Sequence, residues 1–137
     1  MELLTKKIVM LRDIGIHGNL FGGTLMAWID EAAAAYATEY CYTPNSVTVH
    51  IGELVFKKPL KAGQHVQIYG EVTKLGKTSI TLMIDARKFN LYSREETSVC
   101  TTSITFVRID DDGTPTAIGD TVRKNHEDAQ RKVALAN

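Results

Sequence analysis

The chain has 137 residues, 44% of them hydrophobic and 23% charged, with 16 basic side chains balancing 16 acidic ones. This length suits one domain over residues 1–137, with room for a substantial core but not for separate catalytic and cofactor domains. Zero net charge without a long basic run argues against nucleic acid as a partner. No stretch reaches the roughly 18 to 20 apolar residues that span a bilayer, and no signal-like block opens the chain, so a soluble, cytoplasmic protein is expected.

A first strand is expected over about Leu4 to Asp13. After it comes a polar turn from His17 through Asn19 to the pair Gly22-Gly23, which runs straight into an alanine-, leucine- and methionine-rich helix with no proline before Pro44. Asn19 and Thr24 are its cap candidates. At about 100° per residue, Leu25, Ile29, Ala33, Tyr36 and Tyr40 share one face, and Met26, Ala34 and Ala37 extend the apolar surface around it. Most of this helix should therefore be buried. On the same wheel Glu31, Thr38 and Glu39 fall on the remaining arc, whereas Asp30 lands among Met26, Ala34 and Ala37. An ionised carboxylate on an apolar face must be hydrogen-bonded, neutralised or used. The glycine pair allows backbone conformations closed to other residues and lets another molecule approach the main chain closely, at a helix start whose first N–H groups have no partner within the helix. A carbonyl oxygen gaining negative charge could bind there, with Asp30 seven residues on as a base.

Beyond the helix the pattern has period two. Val47, Val49 and Ile51 alternate with Thr48 and His50 up to Gly52, a bulge candidate, and the run closes at Lys57-Lys58-Pro59. Val66, Ile68 and Val72 alternate with Gln67, Tyr69 and Glu71; the turn Lys74 to Lys77 then leads to a strand over Ser79–Phe89. A last long strand is expected over Thr97 to Ile109, ending in an aspartate-rich turn that lacks the further ligands of a calcium loop. The tail from Asp120 to Leu135 can form an amphipathic, highly charged helix. Cys41, Cys100 and the four histidines show neither metal spacing nor a triad signature. One buried helix followed by a meander implies an α+β fold, an antiparallel sheet curled round the helix. Its edge strands need covering, which makes a homodimer the minimum assembly expected.

Asn19-Leu-Phe-Gly-Gly-Thr-Leu-Met-Ala-Trp-Ile-Asp30, with Phe56-Lys-Lys-Pro59 and Gly76-Lys-Thr-Ser79, resembles the hotdog-fold acyl-CoA thioesterases, especially the YciA group and the brain-type acyl-CoA hydrolases. The resemblance covers about Leu11 to Ile109. It implies hydrolysis of acyl-CoA to free coenzyme A and a carboxylic acid, with no cofactor or metal, coenzyme A being part of the substrate. It further implies that Asp30 of one subunit activates water or attacks the thioester, while Asn19 of the other positions the reactants and the Gly23 amide polarises the carbonyl. Gly22, Lys58, Gly76, Lys77, Thr78 and Ser79 would meet the substrate, with Lys74 and Arg87 as further cationic candidates for the coenzyme phosphates. A hexamer built as a trimer of dimers is the assembly implied. Two other readings stand beside this one. A non-catalytic acyl-CoA sensor would not need an ionisable group at position 30, and a hotdog dehydratase would need a histidine with its acid, whereas His17 precedes the turn. Val55 and the run Ala32 to Ala35 depart from the usual pattern of these enzymes and bear on pocket polarity. Trp28 reads as a packing residue at an interface.

Overall fold

A computed structural model describes residues 1–136, so Asn137, the last residue of the expected domain, lies outside the described residues. Seven secondary elements were anticipated and the order is kept: β1 (Glu2–Ile8), a short 3-10 turn (Leu11–Asp13), α1 (Gly22–Tyr40), β2 (Ser46–Ile51), β3 (Val55–Phe56), β4 (His65–Leu75), β5 (Ser79–Phe89), β6 (Glu96–Arg108) and α2 (Asp120–Ala136). The first strand is shorter than expected and ends at Ile8. Beyond it the chain turns tightly, because the Asp13 carboxylate accepts the Met10 amide at 2.9 Å and the backbone closes a 3-10 turn from Asp13 N–H to the Met10 carbonyl.

All strands pair antiparallel in the order β1-β4-β5-β6-β2, with β3 also on β6. β2 and β3 are two pieces of one edge row. Between them Gly52 N–H still bonds the Ser103 carbonyl, and after them Lys57 N–H bonds that of Val99. The register slips between Thr48 and His50, not at Gly52, so the bulge sits three residues earlier than the glycine suggested. Among the described residues no strand lies on the outer side of this row.

Alternation along the strands decides which face meets the helix. Val66 and Ile68 of β4, Ile80, Leu82, Ile84 and Ala86 of β5, and Cys100, Ile104 and Phe106 of β6 are buried on the inner face. Against them lie Leu25, Ile29, Ala32, Ala33 and Ala37 of α1. The helix is buried on this side only: Met26, Ala27 and Ala35 are exposed, so its apolar surface exceeds what one chain covers. Trp28 is half-buried near the Lys7 ammonium, 5.8 Å from its ring centre. The charged tail does fold as a helix. Ile118 and Val122 anchor it in the core, and the Tyr40 hydroxyl meets His126 Nδ1 at 2.7 Å. Among the described residues no helix is long and apolar enough to cross a membrane.

Candidate active site

α1 begins without the expected cap. Its N-cap is Phe21, with no side-chain bond, and neither Asn19 nor Thr24 fills that role. The Phe21 carbonyl takes the amides of Thr24 and Leu25, which leaves the Gly22 and Gly23 N–H groups without an acceptor among the described residues. Two free amides at a helix start form an anion site in which the helix dipole adds to the hydrogen bonds. Both glycines have ordinary helical backbones, so conformational freedom is not why they are there. A Cβ on Gly23 would stand 2.8 Å from the Phe21 ring and one on Gly22 3.3 Å from the Phe56 ring, so either would push an exposed aromatic ring aside.

Beside this helix start opens a cleft of about 410 Å³ lined by Asn19, Leu20, Gly22, Leu25, Phe56 and the segment Lys57 to Leu60. Leu20 N–H bonds the Leu60 carbonyl at 2.7 Å and so holds the two walls together. Lys61 Nζ donates to Asn19 Oδ1 at 2.7 Å. Lysine only donates, so the amide oxygen faces it and the Asn19 NH2 group is left to donate elsewhere.

Asp30 is half-buried, less enclosed than the helical wheel implied, because its neighbour Met26 is exposed and no second surface covers that flank. Its Oδ1 accepts the Thr48 hydroxyl at 2.9 Å, tying the carboxylate to the edge strand β2. Thr48 escaped the reading of the sequence, where it counted only as the polar phase of an alternating strand. The distance between the two halves of the site is large. Gly23 and Asp30 are separated by about 10 Å along the helix axis at roughly 1.5 Å per residue. Thr48 pairs with Phe106 and Phe56 with Cys100, six residues apart on β6, or about 20 Å at roughly 3.3 Å per residue. Within one chain the helix start and the aspartate of α1 thus stand at opposite ends of this span.

Of the other anticipated residues, Gly22 and Lys58 share the Asn19 cleft, whereas Gly76, Lys77, Thr78 and Ser79 turn at the far end of the sheet, where Ser79 pairs with Val107. Arg87 is not free for a phosphate. Its Nε donates to Asp85 at 2.7 Å and its Nη1 to Glu96 at 2.8 Å, while its guanidinium lies 4.0 Å from the Tyr69 ring centre.

The thioesterase superfamily model matches residues 17–91, the span from the polar turn through β5. An acyl-CoA thioester hydrolase of Haemophilus influenzae is 29% identical over 136 residues, covering 97% of this chain and 86% of that protein. A hexameric hotdog fold thioesterase of Campylobacter jejuni superposes with a TM-score of 0.80 at 27% identity, over 93% of this chain and 97% of the other. The acyl-CoA hydrolase of Staphylococcus aureus, solved with butyryl-CoA and coenzyme A, gives 0.78 at 28% identity over 96% and 84%. Structures of that enzyme also exist with an aspartate, an asparagine or a threonine replaced by alanine. Its replaced asparagine and aspartate stand 15 residues apart (43 less 28 in its own count), against 11 between Asn19 and Asp30 here (30 less 19), so the case for Asn19 rests on its place in the cleft. With a matched family model over more than half of its length, a six-stranded antiparallel sheet wrapped on one long helix, and an aspartate on that helix, this chain belongs to the thioesterase superfamily.

Proposed function

We propose that the chain, as one hotdog domain, hydrolyses acyl-CoA thioesters in the cytoplasm, with each active site built from two subunits. The observation that carries this reading is the tethered Asp30 carboxylate about 10 Å along α1 from two free helix-start amides, with Thr48 and the cleft residue Phe56 on one open sheet edge. Antiparallel pairing of two such edges sends the Thr48 end of one chain toward the Phe56 end of its partner. It also covers the exposed Val47, Val49, Val55 and Phe56. The C. jejuni relative is a hexamer, which supports a trimer of such dimers here.

In this site the thioester carbonyl accepts from the glycine amides at the start of one α1, with Asn19 holding the acyl group or the water. Asp30 of the partner takes a proton from water as its oxygen bonds to the carbonyl carbon. The oxyanion is held by the amides, then collapses and expels the coenzyme thiolate, which receives the proton back from Asp30. Direct attack by Asp30 would instead give a mixed anhydride that water opens, regenerating the carboxylate. Both routes need Asp30 ionised, and neither calls on a metal or a cofactor. A thioester suits so small a set of groups because its thiolate leaves without strong acid assistance. Gly22 and Lys58 would contact the substrate from the cleft, and Gly76, Lys77, Thr78 and Ser79 would meet the coenzyme.

The test is thiol release from acyl-CoAs of graded chain length. Asp30→Asn should lose 10²-fold or more in turnover, on the order expected for removing a general base, while still binding coenzyme A. Binding without thiol release by the unsubstituted protein would favour a sensor and sink this reading.

A further inference from the structure

The turn Gly76–Ser79 is unusual in where its carbonyls go. Gly76 N–H bonds the Ser79 carbonyl at 2.8 Å, and the three carbonyls before it are taken by elements outside the hairpin. Arg123 Nη2, on the first turn of α2, donates to the carbonyl of Gly76 at 2.7 Å and to that of Lys77 at 2.8 Å. The Lys77 carbonyl also accepts Ile118 N–H, and the Thr78 carbonyl accepts Arg108 N–H. A Cβ on Gly76 would stand 2.6 Å from Ser79 Oγ and would force that hydroxyl to turn away. The amides of Lys77 and Thr78, by contrast, have no protein acceptor among the described residues. With each of these carbonyls already engaged, the turn presents donors to a ligand: two backbone N–H groups, the exposed Lys77 ammonium and the hydroxyls of Thr78 and Ser79. Such an edge, backed by a guanidinium, fits an anion.

We infer that Arg123 is a positioning residue for the phosphates of the coenzyme: by gripping the Gly76 and Lys77 carbonyls it holds the turn with its donors outward. This rests on the proposed role of Gly76–Ser79 in binding coenzyme A. Arg123 itself touches the turn's backbone and not the substrate. Its place in the chain explains why α2 is docked by Ile118 and Val122 immediately around it, since a guanidinium 46 residues downstream can serve this turn only if its helix start is fixed. The arginine fork spans two adjacent carbonyls, which a lysine ammonium on a flexible stem does less well.

The experiment compares an acyl-CoA with the same acyl group on N-acetylcysteamine, which keeps the thioester and lacks the phosphates, using the intact oligomer. Arg123→Gln should raise KM for the acyl-CoA about tenfold, as losing a charge-assisted bond would, with kcat within about twofold. Both constants for the truncated thioester should stay put, and Arg123→Lys should fall in between. An equal loss on both substrates would mean that Arg123 merely supports the fold, and overturns the inference. Lys77→Glu separates this from the underlying reading. If it raises KM for the acyl-CoA while Arg123→Gln does not, the turn binds the coenzyme without help from Arg123; if neither matters, the turn is no coenzyme site and both ideas fall.

Discussion

Thr48→Val removes one oxygen from the site and leaves the strand shape almost unchanged, so it isolates what the 2.9 Å tether does for Asp30. Two effects set the size of the loss. Without the hydroxyl the carboxylate samples about two or three staggered χ1 wells, which dilutes the reactive one by about threefold. Loss of a hydrogen bond to a charged group costs roughly 1.5–3 kcal/mol when fully enclosed. Asp30 is half-buried and Thr48 exposed in one chain, so about 1 kcal/mol for both effects together is the better figure. At 1.36 kcal/mol per factor of ten, kcat should fall about threefold to tenfold, with KM for acyl-CoA within about twofold. Thiol release under saturating and limiting substrate measures both, with size-exclusion chromatography to check that the assembly persists. An unchanged kcat would show that Asp30 needs no tether from β2, and a raised KM with unchanged kcat would place Thr48 in substrate binding instead.

Two further outcomes follow from the geometry. Mixing inactive Asp30→Asn with inactive Asn19→Ala subunits in equal amounts should restore activity toward about one quarter of the unsubstituted level, because half of the dimers are mixed and each carries one intact site; no recovery would refute the shared site. Asp85 is pushed up by burial, but the hydrogen bonds from Ser98, Arg87 and Thr101 outweigh this and hold its carboxyl below the ordinary carboxylate value. A folded-state pKa below the unfolded one gives stability that is complete above the carboxylate range and is lost as pH falls through it. Urea midpoints should therefore drop more steeply below about pH 4 in the unsubstituted protein than in Asp85→Asn, and parallel acid limbs would count against that role.

Much of the chain was legible from local pattern. Period-two alternation placed β5 and β6 to within a residue and β4 except for its last three residues, which run into the expected turn at Lys74, and the run from Gly22 to Tyr40 could be read as a helix because its composition and spacing are local properties. The same wheel set Asp30 apart from Glu31, and Glu31 is indeed exposed. The glycine pair was legible as a place of close approach, but only folding brings the Phe56 ring against Gly22.

Secondary elements and the odd carboxylate are written into short stretches, since they depend on neighbours one to four places away. The rest depends on partners far along the chain. That Thr48 reaches Asp30 and that Arg123 grips a turn 46 residues upstream are consequences of sheet order and helix docking. No window of sequence contains both ends of those bonds. Tertiary structure also decided that the Thr48 tether and the Phe56 wall of the cleft lie on one sheet edge, because β2 and β3 pair with β6 six residues apart.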